Sequence, residues 1–122
     1  MKLAKYHQLQ QEFMSWQRSL EFFKQENALL KYRLSEMADD TGIVFDLASA
    51  EHFQNEFIHI DEMLENLSKS LLNFSQTSSF EKDRTAISGH DVLRESMHAL
   101  EKKCLNLALE FNKKMLSSPR IN

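Results

Sequence analysis

Apolar side chains recur along the first third of the chain at alternating steps of three and four. The series is Tyr6, Leu9, Phe13, Trp16, Leu20, Phe23, Asn27, Leu30, Leu34 and Met37, and only Asn27 in it is polar. That rhythm keeps one stripe of an α-helix turned towards a partner helix. No Gly or Pro falls within residues 1–38. The spacing therefore predicts a helix over about residues 2–38, some 55 Å long at a rise of about 1.5 Å per residue. Asp39-Asp40-Thr41-Gly42 holds cap and turn formers and marks its end.

The same rhythm returns in Ala50, Phe53, Phe57, Ile60, Leu64, Leu67, Leu71 and Phe74. It predicts a second helix over about residues 43–75. Residues 43–48 fit the seam less well, so Asp40, Thr41 and Asp46 are all candidate caps. A third seam runs through Leu93, Met97, Leu100, Cys104, Leu107 and Phe111. Ser88-Gly89-His90-Asp91 reads as the start of its helix, with Ser88 as cap and Asp91 at the favourable end of the dipole. Pro119 cannot continue a helix, which puts the end near Ser117 and the third helix at about residues 89–117. Between the second and third seams, Ser78 and Glu81 have capping-box spacing, and a short turn of helix over Phe80 to Ile87 is compatible with them.

The expected fold is all-α: three long antiparallel helices running up, down and up in a coiled-coil-like bundle, forming one domain over residues 1–122. Composition agrees. With 2 Gly and 1 Pro in 122 residues, a turn-rich β-sandwich and a glycine-based phosphate loop are disfavoured. The single cysteine excludes an intramolecular disulfide and a multi-cysteine zinc site.

The net charge of -3 conceals an uneven distribution. Residues 39–74 carry eight acidic side chains against Lys69 alone, whereas residues 1–38 and 89–122 each carry six basic and four acidic ones. An acidic helix between two mildly basic ones is expected to attract both within one molecule. Without a net basic face, nucleic-acid binding is not expected. No uninterrupted apolar run approaches the roughly 18 residues of a membrane span, and Met1 to Tyr6 are mixed and polar. A cytoplasmic setting is the expectation.

The first helix has more apolar surface than one seam uses. Phe22 and Leu29 fall opposite the seam, with Met14, Leu3 and Tyr32 nearby. Leu105, Leu109 and Leu116 make a second stripe on the third helix, and Ile58 and Leu72 flank the second seam. A lone three-helix bundle has no interior for these groups, so a homodimer with an interface at Phe22, Leu29, Tyr32, Met14, Leu105, Leu109 and Leu116 is expected. Another helical protein is the alternative partner. Asn27 admits two readings: a buried amide that selects register and partner number, or a shallow seam position whose amide reaches water.

The chemical candidates are few. Glu56 with His59, and Glu95 with His98, are two Glu-x-x-His motifs of the kind that di-iron carboxylate bundles point inward. On the helical wheel all four lie outward or sideways, which argues against a di-metal centre. His52, Glu56 and His59 share a helix face with spacing that can hold a divalent metal. A metal-binding bundle using these residues is thus the alternative to association. No catalytic residue and no cofactor is expected: Cys104 sits on a seam as a small hydrophobe, and no Ser lies in a Gly-flanked elbow. Lys102-Lys103 and Lys113-Lys114 suit the C-terminal end of a helix dipole. They are too few to argue for membrane-surface attachment.

Trp16 to Leu34 reads Trp-Gln-Arg-Ser-Leu-Glu-Phe-Phe-Lys-Gln-Glu-Asn-Ala-Leu-Leu-Lys-Tyr-Arg-Leu, and Glu51 to Ile58 reads Glu-His-Phe-Gln-Asn-Glu-Phe-Ile. Together these stretches, most strongly the second, resemble a group of short uncharacterised bacterial proteins of helical-bundle type. The resemblance implies the fold and a bacterial cytoplasmic setting, and it carries no catalytic assignment. Gln54 and Asn55 lie within it, beside Phe53 and Phe57, where hydrogen bonds between helices are expected and a partner-binding contact is the alternative.

Overall fold

The structure is a computed structural model of the chain. It describes the backbone of residues 2–38, 46–77 and 84–117, and the side chains of residues 7–37, 46–73 and 89–117. Three helices account for it: α1 (Lys2–Ala38), α2 (Leu47–Thr77) and α3 (Arg84–Ser117). They pack against one another as a bundle, with no strand among the described residues. Leu20 of α1 shares a groove with Leu64 and Leu71 of α2, and Met37 shares one with Leu47 and Ala50. Asp46 just before α2, and His52 and Glu56 within it, meet Lys114, Glu110 and Lys103 of α3 in reversed order. α2 therefore runs antiparallel to both neighbours, and the order of the helices is up, down, up.

The three seams supply the core. Phe13, Trp16, Leu20, Phe23 and Leu30 from α1 cluster with Phe53, Phe57, Ile60, Leu64, Leu67 and Leu71 from α2 and with Leu93, Met97, Leu100, Leu107 and Phe111 from α3. Cys104 and Leu34 pack against this cluster and are partly buried. Near the N-terminus of α2, Phe111 meets Phe53 and Phe57 edge-on, with ring centroids 5.1 and 5.4 Å apart. Edge-to-face geometry sets the positive ring edge against the negative face of its neighbour. Phe57 and Phe111 are wholly buried, and truncating such a ring costs about 3–5 kcal/mol.

The charge pattern resolves into pairs between helices. Lys31 Nζ lies 2.6 Å from Asp61 Oδ2, Lys114 Nζ 3.7 Å from Asp46 Oδ2, and Lys103 Nζ 3.8 Å from Glu56 Oε2. The acidic helix is thus paired with lysines on both neighbours. Each pair is exposed enough to be worth no more than about 1 kcal/mol, so apolar burial drives the fold and charge tunes the docking.

Two boundaries differ from the periodicity reading. α2 begins at Leu47, not near residue 43, and ends at Thr77 rather than residue 75. Asp46 is the cap: its Oδ1 accepts the Ser49 N–H at 2.6 Å and its carbonyl accepts the Ala50 N–H at 3.0 Å. Hydrogen bonds from the Ser49 hydroxyl and N–H hold the Asp46 carboxyl below the usual carboxylate range. The alternatives Asp40 and Thr41 lie outside the described residues.

The larger correction concerns α3, which begins at Arg84 rather than residue 89. Ser88 is not its cap, and Gly89 lies inside it. Residues 84–87, whose spacing is compatible with a separate short turn, belong to α3 itself, while Ser78 to Glu81 lie outside the described residues. An internal Gly costs about 1 kcal/mol relative to Ala, less than packing returns here. His90, next to Gly89, is fully buried and lies on the seam three residues before Leu93. The C-terminal end of α3 at Ser117 agrees with the expectation. The positions of Gly42, Pro119 and the side chains of Leu3, Tyr6 and Phe74 lie outside the described residues.

Candidate association surface

The metal candidates do not converge. Glu56 faces Lys103 of α3. The His52 ring nitrogen Nε2 sits 2.9 Å from Glu110 Oε1. His59, Glu95 and His98 are exposed on their helices. Among the described residues, no group of three or more His, Cys, Asp or Glu side chains could hold a metal ion. Gln54 and Asn55, expected to bridge helices, are both exposed; Gln54 lines a groove between α1 and α2.

The outward apolar residues do lie where the wheel puts them. Met14, Phe22, Leu29 and Tyr32 on α1 and Leu105, Leu109 and Leu116 on α3 are all exposed, from 44% for Leu29 to 87% for Leu116. Ile58 and Leu72 of α2 are exposed as well. Scattered single hydrophobes are normal on a surface. These are not scattered along α1, because Phe22 and Leu29 are one heptad apart and Tyr32 falls on the next turn. The Tyr32 hydroxyl hydrogen-bonds to Glu36 on the same helix, which raises its proton affinity.

Between α1 and α2 the surface opens into two grooves, of about 730 and 640 Å³. Leu20, Leu64 and Leu71 line the first, and Leu34, Met37 and Phe57 the second. Lys31 lines both and, paired with Asp61, divides them.

Asn27 is buried, 4% exposed, which resolves its two readings in favour of burial. Its Nδ2 donates to the Phe57 carbonyl at 3.0 Å and to Asp61 Oδ1 at 2.7 Å. The other Asp61 oxygen accepts from Lys31. One polar network therefore crosses the α1–α2 seam in the middle of the bundle.

A second polar network was not foreseen. Arg94 of α3 grips the Glu12 carboxylate of α1 with both ends of its fork, Nη2 to Oε1 at 2.7 Å and Nε to Oε2 at 2.9 Å. Its Nη1 donates to Asp91 at 2.6 Å. Bidentate pairing of this kind fixes direction as well as charge. It holds the Glu12 carboxyl below its ordinary range and keeps the Arg94 guanidinium more firmly protonated. Beside it, His90 stacks on Trp16 with ring centroids 4.4 Å apart and lies 3.7 Å from Glu12 Oε1. Burial lowers the proton affinity of this imidazole, with Glu12 opposing. The seam spacing from His90 to Leu93 was the available signal for its burial.

Cys104, half-buried on the α3 seam, has its thiol pushed up to about 11 by burial. A thiol so protonated is a poor nucleophile. Among the described residues, no helix is long and apolar enough to cross a membrane. Compared with protein-family models, curated proteins and solved structures, the chain matches none of them.

Proposed function

We propose that this protein is a non-enzymatic helical bundle of the bacterial cytoplasm that acts by association, first with a second copy of itself. The observation that carries the reading is exposed apolar surface. Phe22, Leu29 and Tyr32 on α1 and Leu105, Leu109 and Leu116 on α3 all stand outside the core, 44–87% exposed. Apolar faces of this kind mark association sites.

A homodimer is the simplest completion, because closed twofold pairing buries the same face on both copies and leaves no free edge. The alternative reading as a metal-binding bundle is weaker, since Glu56 and His52 are engaged by Lys103 and Glu110. Light scattering on the eluting protein tests the proposal. A mass of twice 14.3 kDa supports it, and a monomer persisting at high micromolar concentration defeats it.

A further inference from the structure

The outer face of α1 carries a second periodic series, Ser15, Arg18, Phe22, Gln25, Leu29, Tyr32 and Glu36, again at alternating steps of three and four. Every member is exposed, so the series runs along the side of α1 turned away from the bundle. Its middle is apolar or amphipathic, with Phe22, Leu29 and Tyr32 56%, 44% and 61% exposed. Its ends carry opposite charges, Arg18 towards the N-terminus and Glu36 towards the C-terminus.

A seam with unlike charges at its two ends is complementary to itself only when reversed. We infer that two copies associate through an antiparallel α1–α1 contact whose twofold axis passes level with residue 27, on the face opposite Asn27. In that register Arg18 meets the partner's Glu36. Phe22 packs on the partner's Tyr32, and Leu29 covers the partner's Gln25. All three pairings are symmetric about residue 27, and the twofold repeats each of them. A parallel arrangement would set Arg18 against the partner's Arg18 and Glu36 against the partner's Glu36, which opposes it by like-charge repulsion.

Within each copy, the Tyr32 hydroxyl hydrogen-bonds the Glu36 carboxylate and Gln25 donates to Glu21 at 3.4 Å. The first of these bonds holds the Glu36 carboxylate on the contact face. The contact is also compatible with the bundle already described, because Asn27, Lys31 and Glu12 make their bonds to α2 and α3 and none is needed here.

This inference rests on the association reading, and charge exchange separates the two. R18E and E36R each turn both end pairs of a homodimer into like charges, and an equimolar mixture of the two variants restores every pair in a heterodimer. Sedimentation velocity in low-salt buffer is the readout, with circular dichroism to check that helicity is kept. Each variant alone is expected to dimerise about tenfold more weakly than the unmodified chain. The mixture, and the R18E/E36R double variant, should return to its affinity. An unmodified chain that dimerises alongside single variants that dimerise as well as it does, or a mixture that fails to recover, overturns this register and leaves the association reading standing. A monomeric unmodified chain overturns both.

Discussion

The Asn27 side chain of α1 reaches the Phe57 carbonyl of α2 at 3.0 Å, one turn before Asp61, whose carboxylate takes the second Asn27 hydrogen at 2.7 Å. The amide thereby recognises one turn of α2 by its backbone and by its side chain together. Sliding α2 by a heptad would keep apolar residues on the seam but would lose Asp61, because Ser68 and Gln54 occupy the equivalent positions. A buried polar group used this way selects register at some cost in stability.

The Asn27→Asp variant tests that recognition. It places a buried carboxylate against the Phe57 carbonyl and the Asp61 carboxylate. The expected loss is about 2–4 kcal/mol at pH 7, measured by urea unfolding against the unmodified chain. The new carboxyl has a folded pKa raised above its unfolded value. The penalty is therefore absent below the unfolded value and grows as pH rises through the folded one. Equal stability of the two chains at pH 7 would contradict the hydrogen-bonding role of Asn27.

His90 gives the opposite sign. Its imidazole is fully buried against Trp16, and burial depresses its folded pKa below the unfolded value near 6.5. Its contribution is present above about pH 6.5 and is lost as pH falls through the folded value, as the unfolded chain takes up the proton first. Glu12 opposes the depression, whereas Arg94 adds to it. His90→Leu should make stability fall less steeply between about pH 7 and pH 5. Fluorescence of Trp16, the sole tryptophan, reports unfolding at each pH. Unchanged slopes would sink this account of the site.

Gly89 distinguishes a helix interior from a helix start. Inside α3 its backbone is helical, and Gly89→Ala should stabilise the protein by about 0.5–1 kcal/mol by reducing the freedom of the unfolded chain. The variant would be neutral or harmful if Gly89 ended a turn. Thermal unfolding followed by circular dichroism measures the difference.

How far the fold was legible depends on the kind of residue that carried it. The seams of Phe13 to Met37, Phe53 to Leu71 and Leu93 to Phe111 could be read directly, because burial along a straight rod repeats with the helix period. The start of α3 could not. Ser88 and Gly89 are locally strong start signals, and the burial of His90 that overrides them depends on Trp16, which comes from another helix. Asp46 was one of three comparable caps until its bond to Ser49 singled it out.

The candidate surface divides in the same way. Phe22, Leu29 and Tyr32 follow from angle alone, since a wheel shows which side chains miss the seam. The Glu12–Arg94 pair is separated by 82 residues. It depends on the stagger and rotation of α1 against α3, which no local periodicity encodes. The exposed places of Glu95, His98 and His59 were also legible as outward wheel positions, but the pairing of His52 with Glu110 was not.

The most direct test of association through the outer face of α1 is sedimentation equilibrium of the unmodified chain and of Phe22→Asp/Leu29→Asp over a wide concentration range. Both substitutions fall on exposed positions, so the bundle should keep its helicity by circular dichroism. The predicted result is a dimer for the unmodified chain and a monomer for the variant at the same concentrations. A single-species monomer for both, or a dimer for both, would contradict the account.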